Sequence, residues 1–126
     1  MNLRFALLLA LCPVALWAEP VYLDCRVSGE KPFSVKLDEA SGKVTHTASS
    51  YYAFNVDGFF TAHSIAYQQV TKIGDSMRSV VRYEIDRTTL AAKQIVMLQG
   101  VIRGTEQKPS VSNGECHIAK VTGRKI

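Results

Sequence analysis

The sequence predicts an all-β fold, a small antiparallel barrel or sandwich of about eight strands that carries one disulfide. Three observations support this prediction. Apolar residues recur at every second position over most of the chain, residues typical of tight turns separate these runs, and two cysteines lie in the first and last runs. One apolar face and one polar face are typical of strands in an antiparallel sheet.

The first 18 residues have the features of a secretory signal peptide. Arg4 supplies a positive start, Phe5 to Leu11 form an apolar run too short to span a bilayer, and Ala18 offers a small residue for cleavage. The large Leu11 before Cys12 does not fit a lipoprotein signal. We therefore expect residues 1–18 to be removed and residues 19–126 to form a single exported domain.

The charge of the chain does not indicate a nucleic-acid partner. The formal net charge is +4, and loss of Arg4 with the signal peptide lowers it to +3. No run of five or six like charges occurs, so a binding site for nucleic acid is not predicted. No second apolar run is long enough to form a transmembrane segment after cleavage.

The first half of the exported domain contains four predicted strands. They lie around Val21–Val27, Phe33–Leu37, Val44–Ala48 and Tyr52–Val56. Glycine-containing or proline-containing turn sequences separate them, and Asp57-Gly58 is predicted to turn the chain after the fourth strand.

The second half continues the same pattern. Strands are predicted around Ile65–Val70 and Met77–Asp86, followed by a turn at Thr88–Ala92 and a strand at Lys93–Val101. Gly104–Ser112 is predicted to be a polar loop. Asn113-Gly114 is the strongest two-residue turn sequence in the chain and precedes a last strand with Cys116 and Ile118.

Cys25 and Cys116 are the two cysteines left after cleavage. In an exported chain they are expected to form one disulfide. A bond between the first and last strands requires the two ends of the sheet to lie close together. Closure into a barrel satisfies that requirement and removes the exposed sheet edges.

The sequence offers no constellation typical of an enzyme. His46, His63 and His117 are not at zinc-ligand spacing and are expected to be exposed positions, with His46 and His63 on strands. No nucleophile elbow or phosphate-binding loop is present. We therefore expect no catalytic residue, no metal and no cofactor. Glu84 and Asp86 are expected on a solvated outer face with Arg82.

A segment rich in serine and tyrosine is the candidate binding surface. Ser49, Ser50, Tyr51 and Tyr52 combine small hydroxyl residues with aromatic rings, which add contact area at low entropic cost. The alternative is that Tyr52 and Phe54 belong to the core. Of Phe59 and Phe60, one is expected in the core and the other on the surface.

Tyr22–Cys25, Glu30–Leu37 and Asn113–Cys116 resemble the periplasmic inhibitors of c-type lysozyme. The resemblance implies a small eight-stranded barrel that plugs a lysozyme active site. That family's inhibitory loop has a Ser-Gly-x-x-Tyr pattern, whereas Ser49-Ser50-Tyr51-Tyr52 lacks the glycine, so no inhibitory residue is transferred. Leu37–Gly42 and Tyr83–Thr88 also resemble uncharacterised small exported proteins of proteobacteria, which implies no activity.

These observations favour a non-enzymatic binding module of the periplasm or the extracellular space, with a protein partner such as a lysozyme-like enzyme. Two alternatives stay open. One is a carrier for a small apolar ligand inside the barrel, which needs a hollow interior. The other is an envelope assembly factor, which needs a free strand edge.

Overall fold

The structure is a computed structural model that describes residues 19–49, 52–100 and 108–119. The predicted signal peptide, residues 1–18, lies outside the described residues. In the described part of the chain all regular elements are β-strands. They are β1 (Val21–Val27), β2 (Phe33–Asp38), β3 (Lys43–Ser49), β4 (Tyr52–Phe60), β5 (Ser64–Ile73), β6 (Met77–Asp86), β7 (Ala91–Gly100) and β8 (Ser110–Ile118).

The strands form a closed antiparallel barrel in chain order. Each strand pairs with the next, and β8 returns to pair with β1. Cys25 lies directly opposite Cys116 in this last pairing, and the two form a disulfide across a sequence separation of 91 residues. The predicted all-β class and the predicted disulfide are confirmed, and the structure decides for a barrel rather than a sandwich.

The core fills the barrel with side chains from alternate positions of each strand. Leu23, Val35, Leu37, Val44, Ile65 and Ile85 are almost completely buried. The alternation that predicted the strands is the same alternation that places these residues inside. Complete burial of one such aliphatic side chain contributes about 1.5–3 kcal/mol to the free energy of folding.

Two glycines predicted to form turns lie inside strands instead. A Cβ atom on Gly114 would lie 1.9 Å from the carbonyl oxygen of Arg26, because β8 closes tightly against β1 there. A Cβ atom on Gly58 would lie 2.6 Å from Cγ2 of Val44. Both positions therefore require glycine, because any side chain would collide with a neighbouring strand or side chain. The turns predicted at Asp57-Gly58 and Asn113-Gly114 are wrong.

Three smaller predictions also need correction. His63 lies in the turn between β4 and β5, not on a strand. The polar loop predicted at Gly104–Ser112 is wrong at its end, because residues 110–112 belong to β8; residues 101–107 lie outside the described residues. The turn predicted at Thr88–Ala92 ends one residue after Thr89, at Leu90, whose φ of 63° is left-handed, and β7 begins at Ala91.

The barrel is longer on one side. Pairing of β5 with β6 and of β6 with β7 continues to Ile73, Met77 and Gly100. Among the described residues, pairing of β4 with β5 stops at Tyr67 and pairing of β7 with β8 stops at Val96. Residues 68–73, 77–82 and 97–100 pair with one another at the end where β4 begins, and we call them the three-stranded extension.

Candidate functional site at the aromatic end of the barrel

His46 lies inside the barrel, with only 2% of its surface exposed. The expectation that it is an exposed polar residue is wrong. Strand β3 alternates, and His46 follows Val44 in the inward phase, so the sheet carries it into the core. The inward phase is visible in the sequence, but histidine as a residue type does not by itself indicate burial.

Aromatic rings surround the imidazole of His46. It is stacked on Phe33 with the ring centroids 4.5 Å apart and on Phe54 with the centroids 4.8 Å apart. Tyr83 packs against it at a tilt with 4.7 Å between centroids, and Tyr83 is in turn stacked on Tyr67 at 5.0 Å. Side chains in contact at these distances fill this part of the barrel.

Hydrogen bonds satisfy the polar atoms of these rings. His46 Nδ1 and Tyr67 Oη lie 2.8 Å apart and share a hydrogen bond whose direction depends on the imidazole tautomer. Gln94 Nε2 donates to Tyr83 Oη over 3.1 Å. Among the described residues, no buried side-chain nitrogen or oxygen atom lacks a partner. The network is therefore complete, as a stable buried polar network must be.

Burial keeps the central pair uncharged. It lowers the pKa of His46 from 6.5 to about 4, because the imidazolium ion would be desolvated. Burial likewise raises the pKa of Tyr67 well above its usual value, and the neighbouring Tyr83 adds to the effect. At neutral pH the pair is thus a neutral imidazole and a neutral phenol.

Tyr52 continues this column of rings to the protein surface. Its ring meets the edge of the Phe54 ring at a centroid distance of 6.1 Å, and its Oη donates a hydrogen bond to Oε1 of Gln69 on β5. The side chain thereby spans the gap where β4 and β5 no longer pair. Tyr52 nevertheless stays 47% exposed. We call the set Tyr52, Gln69, Tyr83 and Gln94 the aromatic end of the barrel.

The predicted binding surface is only partly described. Ser50 and Tyr51 lie outside the described residues. Ser49 is the last residue of β3, after an irregularity in the register between Thr47 and Ser49. Tyr52 is exposed while Phe54 packs against the core, so the alternative assignment to the core holds for Phe54 and not for Tyr52.

Gln69 and Gln94 were not identified from the sequence as parts of a site. Each lies in the inward phase of its strand, Gln94 two residues after the buried Ala92 and Gln69 two residues after Tyr67. The sequence does place both glutamines at alternate positions that continue an apolar series. To use this signal, one must know which set of alternate positions faces the barrel interior.

Polar contacts finish the opposite end of the barrel. The Arg87 guanidinium donates to both carboxylate oxygens of Glu39, at 3.0 and 2.7 Å, and also to the Thr61 carbonyl oxygen at 2.8 Å. Both partners of the ion pair are nearly buried, with side chains 11% and 10% exposed. These residues join the turns after β2, β4 and β6, and we call them the closed end.

Other expected positions have the following outcomes. Phe59 is 64% exposed and Phe60 packs against the core, which confirms that one of the two is internal. Arg82 Nε donates to Glu84 at 3.0 Å on the outside of β6, and Asp86 is exposed in that strand's last position. His63 and His117 are exposed.

Within residues 19–49, 52–100 and 108–119, no three His, Cys, Asp or Glu side chains lie together as ligands of a metal ion would. The same residues contain no helix with the length and hydropathy of a membrane span. Comparisons with protein-family models, with curated proteins and with solved structures find no match to this chain.

Proposed function

We propose that the chain is an exported, non-enzymatic binding module that uses the aromatic end of its barrel to recognise a protein partner in the cell envelope or outside the cell. The Cys25–Cys116 disulfide supports the exported setting, because such bonds persist in oxidising compartments. The signal-peptide pattern of residues 1–18 supports it independently.

The observation that carries the proposal is the preorganised exposure of Tyr52. Its ring is held by Phe54 on one side and by Gln69 on the other, and almost half of its surface still faces solvent. A tyrosine fixed before binding loses little conformational entropy when a partner covers it. Such tyrosines are typical anchors of protein interfaces.

Apolar residues next to Tyr52 extend the proposed surface. The face of β5 that carries Gln69 also carries Ile73, which is 48% exposed, and the same face of β7 carries Leu98, which is 38% exposed. Exposed apolar groups rimmed by polar ones mark interaction sites on small proteins. This face lies on the three-stranded extension, beside the gap that Tyr52 spans.

The packed interior favours a protein partner over a small ligand inside the barrel. Phe33, His46, Phe54, Tyr67 and Tyr83 are in ring-to-ring contact where a carrier would hold its ligand. A ligand would have to displace stacked rings and break the His46–Tyr67 hydrogen bond. A c-type lysozyme is the first partner to test, because of the resemblance at Tyr22–Cys25 and Glu30–Leu37.

The direct test is calorimetric titration of the oxidised domain, residues 19–126, with a panel of c-type lysozymes, together with a lysozyme activity assay. We expect binding that Tyr52→Ala weakens by about 30-fold, which corresponds to about 2 kcal/mol for an anchor residue. Phe59→Ala is the matched control, because Phe59 is an exposed aromatic residue on the outward face of the same strand. It should change affinity less than about twofold.

The outcomes test separately whether a lysozyme is the partner and whether the aromatic end is the binding surface. No binding to any lysozyme rejects the lysozyme as partner, and the same domain is then used to capture proteins from envelope extract. A captured protein whose affinity falls with Tyr52→Ala but not with Phe59→Ala supports the binding module. A partner that is bound equally well by both variants rejects the aromatic end as its binding surface.

A further inference from the structure

We infer that the outer face of the three-stranded extension is a peripheral binding site for the surface of an anionic phospholipid membrane. This face is opposite the one that carries Ile73 and Leu98, so it is separate from the surface proposed for the protein partner. The site has two parts, an apolar row on the sheet and a cationic recess at the tip of the extension.

Five apolar side chains lie next to one another on the outer face of the sheet. Val70, Val80 and Met97 occupy directly opposite positions on β5, β6 and β7, and Ile95 lies opposite Val111 on β7 and β8. All five are out of phase with the buried, inward-facing residues of their strands, so their side chains point away from the barrel interior. Outward positions of an antiparallel sheet are usually polar, which makes this apolar row unusual.

The apolar row is covered in its middle and open at its edges. Val80 is only 3% exposed, whereas Val70 and Val111 are 47% and 52% exposed. Contiguous exposed apolar groups that polar residues surround mark an interaction site on a small protein. The row can therefore bury further apolar surface against a partner.

A pair of like charges borders the row at the tip of the extension. Lys72 lies directly opposite Arg78, and both side chains are exposed on the outer face. Like charges in directly opposite positions destabilise a sheet, and a bound anion would remove this repulsion. Residues 68–72, 78–82 and 95–99 contain no aspartate or glutamate. The face therefore fits an anionic partner, and two copies of it would repel each other.

An open recess of about 380 Å³ lies at this tip, beside the apolar row. Lys72, Ser76, Arg78 and Gln99 are among its lining residues, and Asp75 contributes one carboxylate. Gln99 Oε1 accepts a hydrogen bond from Arg78 Nε at 2.8 Å, which steadies the guanidinium group. Ammonium, guanidinium and hydroxyl groups are donors that bind phosphate. A phospholipid joins a phosphate group to apolar chains, and this combination matches the recess and the row together.

Co-sedimentation of the oxidised domain, residues 19–126, with vesicles tests the inference. One set of vesicles contains equal amounts of phosphatidylglycerol and phosphatidylcholine, and the other contains phosphatidylcholine alone. We expect binding to the anionic vesicles and little binding to the neutral ones. The affinity should fall as salt is added, because salt screens exposed charges.

The cationic recess is tested by the double variant Lys72→Gln with Arg78→Gln. Each cation close to an anionic membrane contributes about fivefold in affinity, so we expect binding about 25-fold weaker. Arg26→Gln with Lys36→Gln is the matched control. It removes the same two kinds of charge from exposed outward positions of β1 and β2, on the other side of the barrel. It should change the affinity less than about twofold.

The apolar row is tested by Val70→Thr, which keeps the shape of the side chain and its preference for a strand. A hydroxyl group in place of a methyl group should weaken vesicle binding about threefold if the row enters the membrane interface. Ile118→Thr is the control, because Ile118 is a 69% exposed apolar residue at the opposite end of the barrel. It should leave the affinity unchanged.

Absence of binding to the anionic vesicles overturns the inference, and so does equal weakening by the two double variants. Sensitivity to the loss of Lys72 and Arg78 without sensitivity to Val70→Thr also overturns it, because a charged partner without apolar chains, such as an acidic protein, then explains the site. Selective weakening by both the recess variant and Val70→Thr supports it.

Discussion

The two ends of the barrel are constructed from different chemistry. At the closed end, Arg87 holds Glu39 and the Thr61 carbonyl oxygen together, and the charged groups are nearly covered. At the aromatic end, aromatic rings in contact lead from the buried His46 through Phe54 to the exposed Tyr52. The closed end satisfies its own polar groups, whereas the aromatic end presents a fixed side chain to solvent.

This difference predicts a division: the ion pair of the closed end contributes strongly to stability, and the exposed Tyr52 ring contributes little. Burial of an ion pair makes both partners depend on each other, so loss of one leaves the other as an uncompensated charge. An exposed ring on a rigid support contributes little to folding, because much of its surface remains in water. Three measurements of the folded domain test this division, from the largest expected effect to the smallest.

Removal of the arginine from the closed end should have the largest effect. We expect Arg87→Ala to lower the free energy of unfolding by about 3–5 kcal/mol, because the Glu39 carboxylate loses its bidentate partner in a nearly buried position. Urea denaturation measures the change. Lys43→Ala is the control, since it removes an ion pair to Asp57 whose side chains are 49% and 81% exposed. That loss should stay below about 1 kcal/mol.

A small effect of Arg87→Ala would contradict the assignment of stability to the closed end. The loss of unfolding free energy from the exposed Lys43–Asp57 ion pair is the reference for this comparison. Equal losses from Arg87→Ala and Lys43→Ala would mean that the buried position of the Glu39–Arg87 pair has no energetic consequence.

Acid should destabilise the domain through His46. Burial lowers the pKa of His46 from 6.5 to about 4, so the unfolded chain takes up the proton first as the pH falls. The contribution of the neutral His46 to the free energy of unfolding is complete above pH 6.5 and is lost progressively as the pH falls from 6.5 to about 4. The full loss in the free energy of unfolding is about 3 kcal/mol. Urea denaturation at a series of pH values measures it.

His46→Gln keeps a polar side chain near Tyr67 but cannot titrate. We expect this variant to be less stable at neutral pH and to show a much weaker pH dependence between pH 6.5 and 4. Hydrogen bonds from the backbone N–H groups of Thr89 and Thr88 lower the pKa of Asp86 below its usual 3.8, so the contribution of Asp86 is lost at a lower pH than that of His46. An unchanged slope in His46→Gln would exclude His46 as the cause of acid lability.

The smallest effect is expected from the Tyr52 hydroxyl group. Tyr52→Phe keeps the ring against Phe54 but removes the hydrogen bond to Gln69. Because this hydrogen bond is exposed, its loss should lower the free energy of unfolding by no more than about 1 kcal/mol. The thermal midpoint should fall correspondingly little. Differential scanning calorimetry measures this change. A loss as large as that of Arg87→Ala would show that the Tyr52 hydroxyl group contributes as much to stability as the ion pair of the closed end.

Most of the fold was predictable because strand alternation is a local property. Val21–Val27, Phe33–Leu37 and Met77–Asp86 alternate in the sequence and form strands in the structure with little change in their bounds. The cysteines in the first and last strands predicted that the ends of the sheet meet. The sequence left a barrel and a sandwich open, and the structure shows a closed barrel in which Cys25 lies opposite Cys116.

The errors arose where a residue type had a different role than its usual one. Gly58 and Gly114 were assigned to turns, but they are required where side chains or backbone approach the strand closely. His46 was assigned to the surface, but it stacks on Phe33 inside the barrel. These roles depend on contacts with distant strands, which no local pattern contains.

The sequence by itself determined the all-β class, the approximate positions of the strands along the chain and the cysteine pair, because each depends on periodicity or on residue identity alone. Only the tertiary structure decided that the barrel closes around a column of rings and that Tyr52 ends this column at the surface. It also decided that, among the described residues, β5 stops pairing with β4 after Tyr67. These features result from the register between strands, and register is set when the whole sheet closes.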